Sequence, residues 1–202
     1  VTDKIKLIKN LLDKVDEMII CGGMSYTFLK VAYGVEIGDS LFDEQGANIV
    51  QELLQKAEEK HVKIHLPIDF RCGDEFKATC NTRVFTKEEG IPKGWSGMED
   101  GPASLEIYKQ AVARANTIIW NGPAGVYEFE AFQSCTRGIL EACAEAKQRG
   151  AIVVIGGGDC ATCAMQWGFG NALTHISTGG GASLQLLEGG DMPGLMALSN
   201  KN

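Results

Sequence analysis

Residues 151–162 read AIVVIGGGDCAT, an apolar run that ends in three glycines and leads into a segment of helical character. A second glycine triplet lies in HISTGGGASLQLLEG, residues 175–189. Glycine costs backbone entropy in any ordered structure, so its repetition after an apolar run needs a physical reason. A short buried strand followed at once by a helix is the unit from which parallel α/β sheets are built. These two stretches therefore indicate the fold class.

The same alternation runs along the rest of the chain. Short apolar segments predict five strands, at residues 17–21, 62–70, 116–120, 151–155 and 173–177. Helical periodicity predicts helices at residues 1–15, 24–34, 42–60, 103–115, 130–149, 160–168 and 182–189. Polar residues and glycines predict a long loop or a small excursion from the main fold at residues 71–101. The expected structure is one α/β domain over residues 1–202, with a doubly wound, Rossmann-like, mostly parallel sheet covered by helices on both faces.

The amino-acid composition argues against nucleic acid and membranes as partners and indicates a cellular compartment. The chain has 202 residues, of which 45% are hydrophobic and 22% charged, as in ordinary globular domains. Its formal net charge of −7 argues against a nucleic-acid partner. Since it has no apolar run of membrane-spanning length, no membrane segment is expected. Seven scattered cysteines, an odd number, favour thiols in a reducing compartment and hence a cytoplasmic protein.

The expected chemistry lies in the loops that follow the strands. Ligands of open parallel sheets bind beyond the carboxyl ends of the strands, and here those ends read CGGM, IDF, WNGPAGVYE, GGGDCA and STGGGAS. Backbone N–H groups at a helix start attract phosphate, so two such loops side by side would hold a di- or triphosphate. The alternative is that the glycines only allow tight packing of strand against helix.

Two familiar phosphate-binding patterns do not fit. GGGDCA matches the loose dinucleotide fingerprint at Gly156, Gly158 and Ala161, which would suit a nicotinamide-dependent oxidoreductase. That site needs an acidic residue about 20 positions further on, where the chain reads HISTGG. The Walker pattern G-x-x-x-x-G-K-[ST] is also missing. The loops are therefore expected to hold phosphates in another way.

Asp159, which follows the glycines, is the candidate metal ligand. Mg²⁺ beside bound phosphates takes one or two carboxylates and several waters. Aspartate is also a good helix N-cap, so from the residues alone both roles stay open. Cys160 and Cys163 have C-x-x-C spacing, but they lack the context of a redox motif, and two small helix residues are the simpler interpretation.

The ordered segments EMIICGGMSYTFLK, IGDSLFDE, IHLPIDF, WNGPAGVYE, IGGGD, HISTGGGASLQLLEG and MPGLMALSN together resemble the phosphoglycerate kinase family. The resemblance covers essentially all 202 residues, and it is to the C-terminal, nucleotide-binding half of the family. It implies Mg²⁺-dependent, reversible phosphoryl transfer between 1,3-bisphosphoglycerate and ADP, a glycolytic reaction that gives 3-phosphoglycerate and ATP.

The resemblance also implies roles for individual residues. Nucleotide binding is assigned to Gly22 and Gly23 at the base and ribose, Gly97 at the adenine pocket, then Asn121, Pro123, Val126, Tyr127 and Glu128, and finally Gly157, Gly158, Asp159 and Cys160. Among these, Glu128 would bind the ribose hydroxyls and Asp159 the magnesium. Catalytic roles fall to Lys4, which would neutralise charge on the transferred phosphoryl group, and to Gly179, Gly180 and Gly181, whose amides would meet it.

The chain departs from the family's pattern in several places. Cys21 stands where the family usually has glycine, and Cys160 where it has Thr or Ser; because a thiol bonds phosphate poorly, weaker nucleotide binding is expected. The family's N-terminal half, and the first strand and Gly-Gly-Ala-Lys loop of this half, would precede Val1. We therefore expect ADP or ATP as a direct ligand, 3-phosphoglycerate only through the missing half, and no turnover by the chain alone. The alternative is a non-catalytic nucleotide-binding module.

Overall fold

The computed structural model describes residues 2–177, 185–186, 189 and 191–198. The helices are α1 Thr2–Leu11, α2 Gly23–Tyr33, α3 Glu44–Ala47, α4 Val50–Glu59, α5 Pro102–Arg114, α6 Ser134–Gln148, α7 Gly158–Gln166 and α8 Pro193–Met196. The strands are β1 Glu17–Ile19, β2 Lys63–His65, β3 Asp69–Gly73, β4 Thr82–Thr86, β5 Ser96–Asp100, β6 Thr117–Asn121, β7 Ile152–Gly156 and β8 His175–Ser177. No helix in these ranges is long and apolar enough to cross a membrane.

The predicted fold class is confirmed, because parallel strands are flanked by helices. β1 pairs with β2 in parallel, and β6, β7 and β8 form a second parallel sheet in that order. Within the described part of the chain, β1 and β6 do not pair with each other. The parallel strands therefore form two sheets instead of the single sheet that the sequence predicted.

Residues 71–101, predicted as a long loop or a small excursion, contain strands that the sequence pattern did not predict. This region contributes to a three-stranded antiparallel sheet of order β4-β3-β5, with a register shift between Arg71 and Cys72. The predicted strand 62–70 is divided into β2 and β3, and Pro67, which has no N–H to donate to a strand ladder, lies in the gap between them. Most of β4 is exposed, so its sequence lacks the apolar character that the prediction relied on.

Several helix bounds also differ. The predicted helix 42–60 is broken into α3 and α4 at Asn48 and Ile49, and Asp43 caps α3 by accepting the N–H of Gln45 at 3.1 Å. The predicted helix 130–149 consists of a short 3₁₀ turn, Glu130–Phe132, followed by α6. Of the predicted helix 182–189, only residues 185, 186 and 189 are described.

Among the residues that the structure describes, the core consists of three apolar clusters. The largest packs α5, α6 and α7 against β6 and β7, with Leu140 and Ile155 fully buried. A second cluster lies between α2, α4 and β1 and includes Phe28 and Leu53. The third joins α2 to β3 around Phe70. The helices of these clusters thus bury a face against the strands, and the loops after the parallel strands lie at one edge of each sheet.

Asp69 holds the start of α5, the helix that follows β5. Its carboxylate accepts the N–H of Ala103 at 3.0 Å and the N–H of Ser104 at 2.8 Å. A Cβ added to Gly101 would lie 2.2 Å from the Asp69 carboxyl carbon. Glycine at position 101 therefore leaves room for a helix cap supplied by a distant strand.

We expect Gly101→Ala to lower the free energy of unfolding by about 1–3 kcal/mol, because the new methyl group must displace the bonded Asp69 carboxylate. Urea denaturation would measure the change. Gly194→Ala is the matched control, since a Cβ there meets nothing within 4 Å. Equal stability of the two variants would contradict this role of Gly101.

Candidate functional site

The turn between β1 and α2 contacts the loop that follows β6. Gly22, which precedes α2, has φ 60° and ψ −148°, a conformation that other residues rarely adopt. A Cβ added to Gly22 would lie 2.9 Å from the carbonyl oxygen of Pro123. The structure thus brings together two candidate residues that are about half the chain apart, and only a glycine permits the approach.

Gly23 and Gly97 both lie beside the segment that contains Ser40 and Leu41. A Cβ added to Gly23 would meet Cδ1 of Leu41 at 2.9 Å, and the Leu41 side chain is 67% exposed. The N–H of Gly97 donates to Ser40 Oγ at 2.8 Å. A Cβ on Gly97 would lie 2.3 Å from the Tyr26 hydroxyl oxygen, so the tyrosine covers one face of this glycine. Leu41 was not predicted as a site residue, although it belongs to the segment IGDSLFDE that carries the family resemblance.

The segment from Asn121 to Glu128 is held in place by backbone bonds. The N–H of Val126 donates to the carbonyl of Met98 in β5 at 2.8 Å, and the N–H of Ala124 donates to Thr136 Oγ1 in α6 at 3.1 Å. Trp120 Nε1 donates to the carbonyl of Gly122 at 2.7 Å. The candidate residues on this segment therefore have a fixed backbone in a loop between two packed elements.

The start of α7 lies beside Asn121, the last residue of β6. Gly157 precedes α7 with φ 97°, and a Cβ there would be 3.6 Å from the Asn121 side-chain amide. Asn121 Nδ2 is buried and has no hydrogen-bond partner among the residues that the structure describes. An unpaired buried donor is costly, and the start of α7, whose first N–H groups have no partner within the helix, lies next to it. This arrangement is suited to an anionic ligand.

Asp159 is exposed on the first turn of α7. The N-cap position is taken by Gly157, and no side chain caps this helix, so the cap role considered for Asp159 is wrong. Burial raises the pKa of Tyr127, and the negative charges of Asp159 and Glu128 raise it further. Both carboxylates are therefore near enough to Tyr127 to act on its hydroxyl electrostatically.

The described residues contain no group of three or more His, Cys, Asp or Glu side chains that could hold a metal ion by themselves. A single exposed carboxylate suits Mg²⁺ when phosphate oxygens and waters supply the other ligands. Asp159 fits that requirement because it lies at the helix start where an anion is expected. No self-sufficient metal centre, such as a zinc site, is indicated in this part of the chain.

Cys160 and Cys163 are both buried in α7. The N–H of Gly122 donates to Cys160 Sγ at 3.0 Å, so the thiol faces the loop after β6. Burial raises the pKa of Cys163 to about 12, which keeps it in the unreactive thiol form. None of the seven cysteines forms a disulfide. These surroundings favour packing over a redox role for the C-x-x-C motif.

The sequence patterns did not identify two buried carboxylates at the end of β5. Glu99 accepts the N–H of Cys135 at 2.6 Å and the hydroxyl of Ser134 at 2.8 Å, both at the start of α6. Asp100 accepts the N–H of Gly22 at 3.1 Å and the hydroxyl of Tyr108 at 2.9 Å. The acidic pair just before Gly-Pro was a possible signal, but it lay in the predicted loop, where charges are usually solvated.

A family model described as phosphoglycerate kinase matches residues 1–190. The chain belongs to the phosphoglycerate kinase family. It is 54% identical to phosphoglycerate kinase of Candida albicans over 202 residues, covering 100% of this chain and 48% of that protein. It is 55% identical over 199 residues to a probable phosphoglycerate kinase of Caenorhabditis elegans, covering 98% of this chain and 48% of that protein.

The structure of phosphoglycerate kinase from Coxiella burnetii superposes with a TM-score of 0.91 at 37% identity, covering 97% of this chain and 50% of that one. The chain thus spans about half the length of the phosphoglycerate kinases it matches. The family match favours a kinase over the nicotinamide-dependent oxidoreductase.

The four predicted catalytic residues lie wholly or partly outside the residues that the structure describes. Lys4 belongs to α1, but its side chain is outside the described atoms, and Gly179, Gly180 and Gly181 are outside the described residues. Their catalytic roles stay predictions. A surface groove between α5 and α6, lined by residues that include Lys109, Glu141 and Arg149, contains none of the predicted site residues.

We expect Asp100→Asn to stabilise the protein more at pH 8 than at pH 4.5. Burial raises the pKa of Asp100 from 3.8 to about 7, so between these values the folded chain holds a proton that the unfolded chain releases. Stability is therefore lost as pH rises through this window, and the neutral amide removes the loss. The difference between the two pH values should be about 1–3 kcal/mol.

Urea denaturation of both proteins at the two pH values measures this effect. A stability difference that is the same at pH 4.5 and pH 8 would contradict a raised pKa for Asp100.

Proposed function

We propose that this chain is the ATP- and ADP-binding half of a phosphoglycerate kinase. In the complete protein it would take part in the Mg²⁺-dependent, reversible transfer of a phosphoryl group from 1,3-bisphosphoglycerate to ADP, giving 3-phosphoglycerate and ATP. The observation that carries the proposal is the meeting of three loops: Gly22 lies against Pro123, and Asn121 lies beside Gly157. One ligand could contact all three.

The phosphate end of the nucleotide is proposed to lie at the start of α7. The N–H groups of Gly158 and its neighbours begin a helix there, and a Cβ at Gly158 would meet nothing within 4 Å, so the backbone is open to a ligand. The unpaired Asn121 Nδ2 would donate to a phosphate oxygen. The backbone N–H groups of Gly157 and Cys160 belong to the same turn.

The base and ribose are proposed to lie between the Gly22–Gly23 turn and the segment after β6. Pro123, Val126 and Tyr127 would form one wall, and the exposed side chain of Leu41 would extend the other. Glu128 is exposed at the end of the segment, where its carboxylate could accept hydrogen bonds from ribose hydroxyls. Gly97 would complete the adenine pocket behind Gly23.

Asp159 would hold Mg²⁺ together with the nucleotide phosphates. When bound, the ion supplies positive charge to the phosphate oxygens, and the chain positions the groups around it. Lys4 and the amides of Gly179, Gly180 and Gly181 would stabilise charge on the transferred phosphoryl group. Phosphoryl transfer requires the protein mainly to position the reacting groups and to supply positive charge, with little covalent chemistry of its own.

The acid substrate is proposed to bind the other half of the protein. The chain covers about half of its relatives, and its parallel strands are split into a two-stranded and a three-stranded sheet. This split supports our proposal that the family's first strand, with its Gly-Gly-Ala-Lys loop, lies between β1 and β6.

Thiols without disulfides support a cytoplasmic location for such a glycolytic enzyme.

We expect Asp159→Ala to weaken ADP binding about tenfold in the presence of Mg²⁺ and to leave binding unchanged when the metal is chelated, because only the metal-bridged contact is lost. Isothermal titration calorimetry with and without EDTA measures both values. Glu88→Ala, which removes an exposed carboxylate in the turn after β4, is the control. If Asp159→Ala kept the normal Mg²⁺ dependence, Asp159 would not be the ligand.

We expect Asn121→Ala to weaken ADP binding by about tenfold without lowering the free energy of unfolding. The amide nitrogen has no partner within the described chain, so its removal costs the fold no hydrogen bond, whereas the ligand loses one. Calorimetry and urea denaturation test the two effects separately. A loss of stability with unchanged affinity would show that Asn121 is structural.

A further inference from the structure

Asp100 connects two loops through different parts of the same residue. Its carboxylate oxygens lie 3.1 and 3.3 Å from the backbone nitrogen of Gly22, in the turn before α2. Its own backbone N–H donates to the carbonyl of Ala124 at 3.1 Å, in the segment after β6. Pro123, next to Ala124, is the residue whose carbonyl approaches Gly22. The contact between the two loops is therefore braced by Asp100 behind it.

Asp100 cannot reach a ligand itself. Its side chain is 1% exposed, and Tyr108 of α5 covers it by donating its hydroxyl to Oδ2. Any effect of this carboxylate on a bound molecule must therefore pass through the backbone of Gly22 or of Ala124.

We propose that Asp100 is a positioning residue for nucleotide binding, which holds the Gly22–Gly23 turn at a fixed spacing from the Pro123–Ala124 segment. This inference rests on the proposed function, since it assumes that both loops contact the nucleotide. It adds a residue that the family resemblance did not single out and that lies behind the site.

The chemistry of the bond explains why an acceptor is needed at position 100. Gly22 N–H is buried, and an unpaired buried N–H is costly. A carboxylate offers acceptor oxygens to both Gly22 and Tyr108, whereas alanine would offer none. Without the acceptor, the turn could recover its hydrogen bond only by moving, and the spacing between the two loops would change.

The carboxylate is maintained at a cost to stability. Burial raises its pKa, and the nearby carboxylates of Glu99 and Asp69 raise it further. The other titratable groups close to it are Tyr108, Tyr26 and Cys135, and no positive charge is among the groups that influence its pKa most. A costly buried acid is more often found where it serves a function than where it serves packing alone.

Three variants of the 202-residue chain test the proposal. Asp100→Ala removes the acceptor, Asp100→Asn keeps an amide oxygen in its place, and Asp69→Ala is the matched control. Asp69 is a neighbouring buried carboxylate, and the N–H groups that it accepts, from Ala103 and Ser104, both belong to the start of α5. Calorimetry would measure the ADP dissociation constant with Mg²⁺, and amide hydrogen exchange followed by NMR would measure protection of the Gly22 N–H without nucleotide.

We expect Asp100→Ala to weaken ADP binding about tenfold and to lower the protection of Gly22 by a similar factor. Asp100→Asn should restore both to within about threefold of the unmodified chain, because its oxygen can accept the Gly22 N–H. Asp69→Ala should lower stability and leave ADP affinity within about twofold, since it loses only a helix cap. This pattern separates positioning from a general structural role.

The outcomes also separate this proposal from the proposed function. Failure of the unmodified chain to bind ADP would overturn both. Normal ADP binding by the unmodified chain, together with unchanged affinity in Asp100→Ala, would overturn the positioning role alone. If Asp100→Ala does not fold, Asp100→Asn still gives a test: a loss of Gly22 protection with unchanged ADP affinity, or weakened affinity with unchanged protection, would overturn the proposal.

Discussion

Three buried carboxylates, from β3 and β5, each accept the N–H groups at or just before the start of a different helix. Asp69 does so for α5, Glu99 for α6, and Asp100 for Gly22 before α2. The first N–H groups of a helix have no partner within the helix, and they attract negative charge. Burying acids is expensive, and these bonds offset part of that cost. The small antiparallel sheet therefore fixes where three helices begin.

The consequence is a defined arrangement of loops at the edge of the parallel sheets. Because Glu99 and Asp100 are adjacent, the segment after β6 and the turn after β1 are tied to the same point of β5. The register of β6 with β7, which pairs Asn121 with Gly156, then places the Asn121 side chain at the start of α7. Loops that are distant in sequence thus meet at Gly22 and Pro123 and at Asn121 and Gly157, with the exposed Asp159 carboxylate on the first turn of α7.

Much of this could be predicted from the sequence, and what was missed has physical causes. The parallel strands and most helices were predictable, because apolar periodicity records which faces are buried. The loops at Gly22, Asn121 and Gly157 were predicted through glycines at strand ends, and the roles of their residues through the family resemblance. The antiparallel sheet was missed because β4 is largely exposed and carries polar residues. Glu99 and Asp100 were missed because a single sequence does not show that a charge is buried against a helix start far along the chain.

The role of Asp159 also could not be decided from the sequence, although only neighbouring residues are involved. From the sequence, a carboxylate after glycines could cap the helix or bind a metal, and the choice depends on backbone angles. Gly157, with its positive φ, takes the cap position and leaves the Asp159 side chain exposed. Gly97 is a second case, because Tyr26 from α2 covers it through a contact that no local pattern could show.

The proposed site requires that one nucleotide contacts all three loops at once. NMR titration of the ¹⁵N-labelled chain with ADP and Mg²⁺ tests this directly, residue by residue. We expect saturable shifts at the amides of Gly22, Gly23 and Gly158 and at the Asn121 side-chain amide, all with one dissociation constant. No shifts, or shifts confined to the groove between α5 and α6, would contradict it.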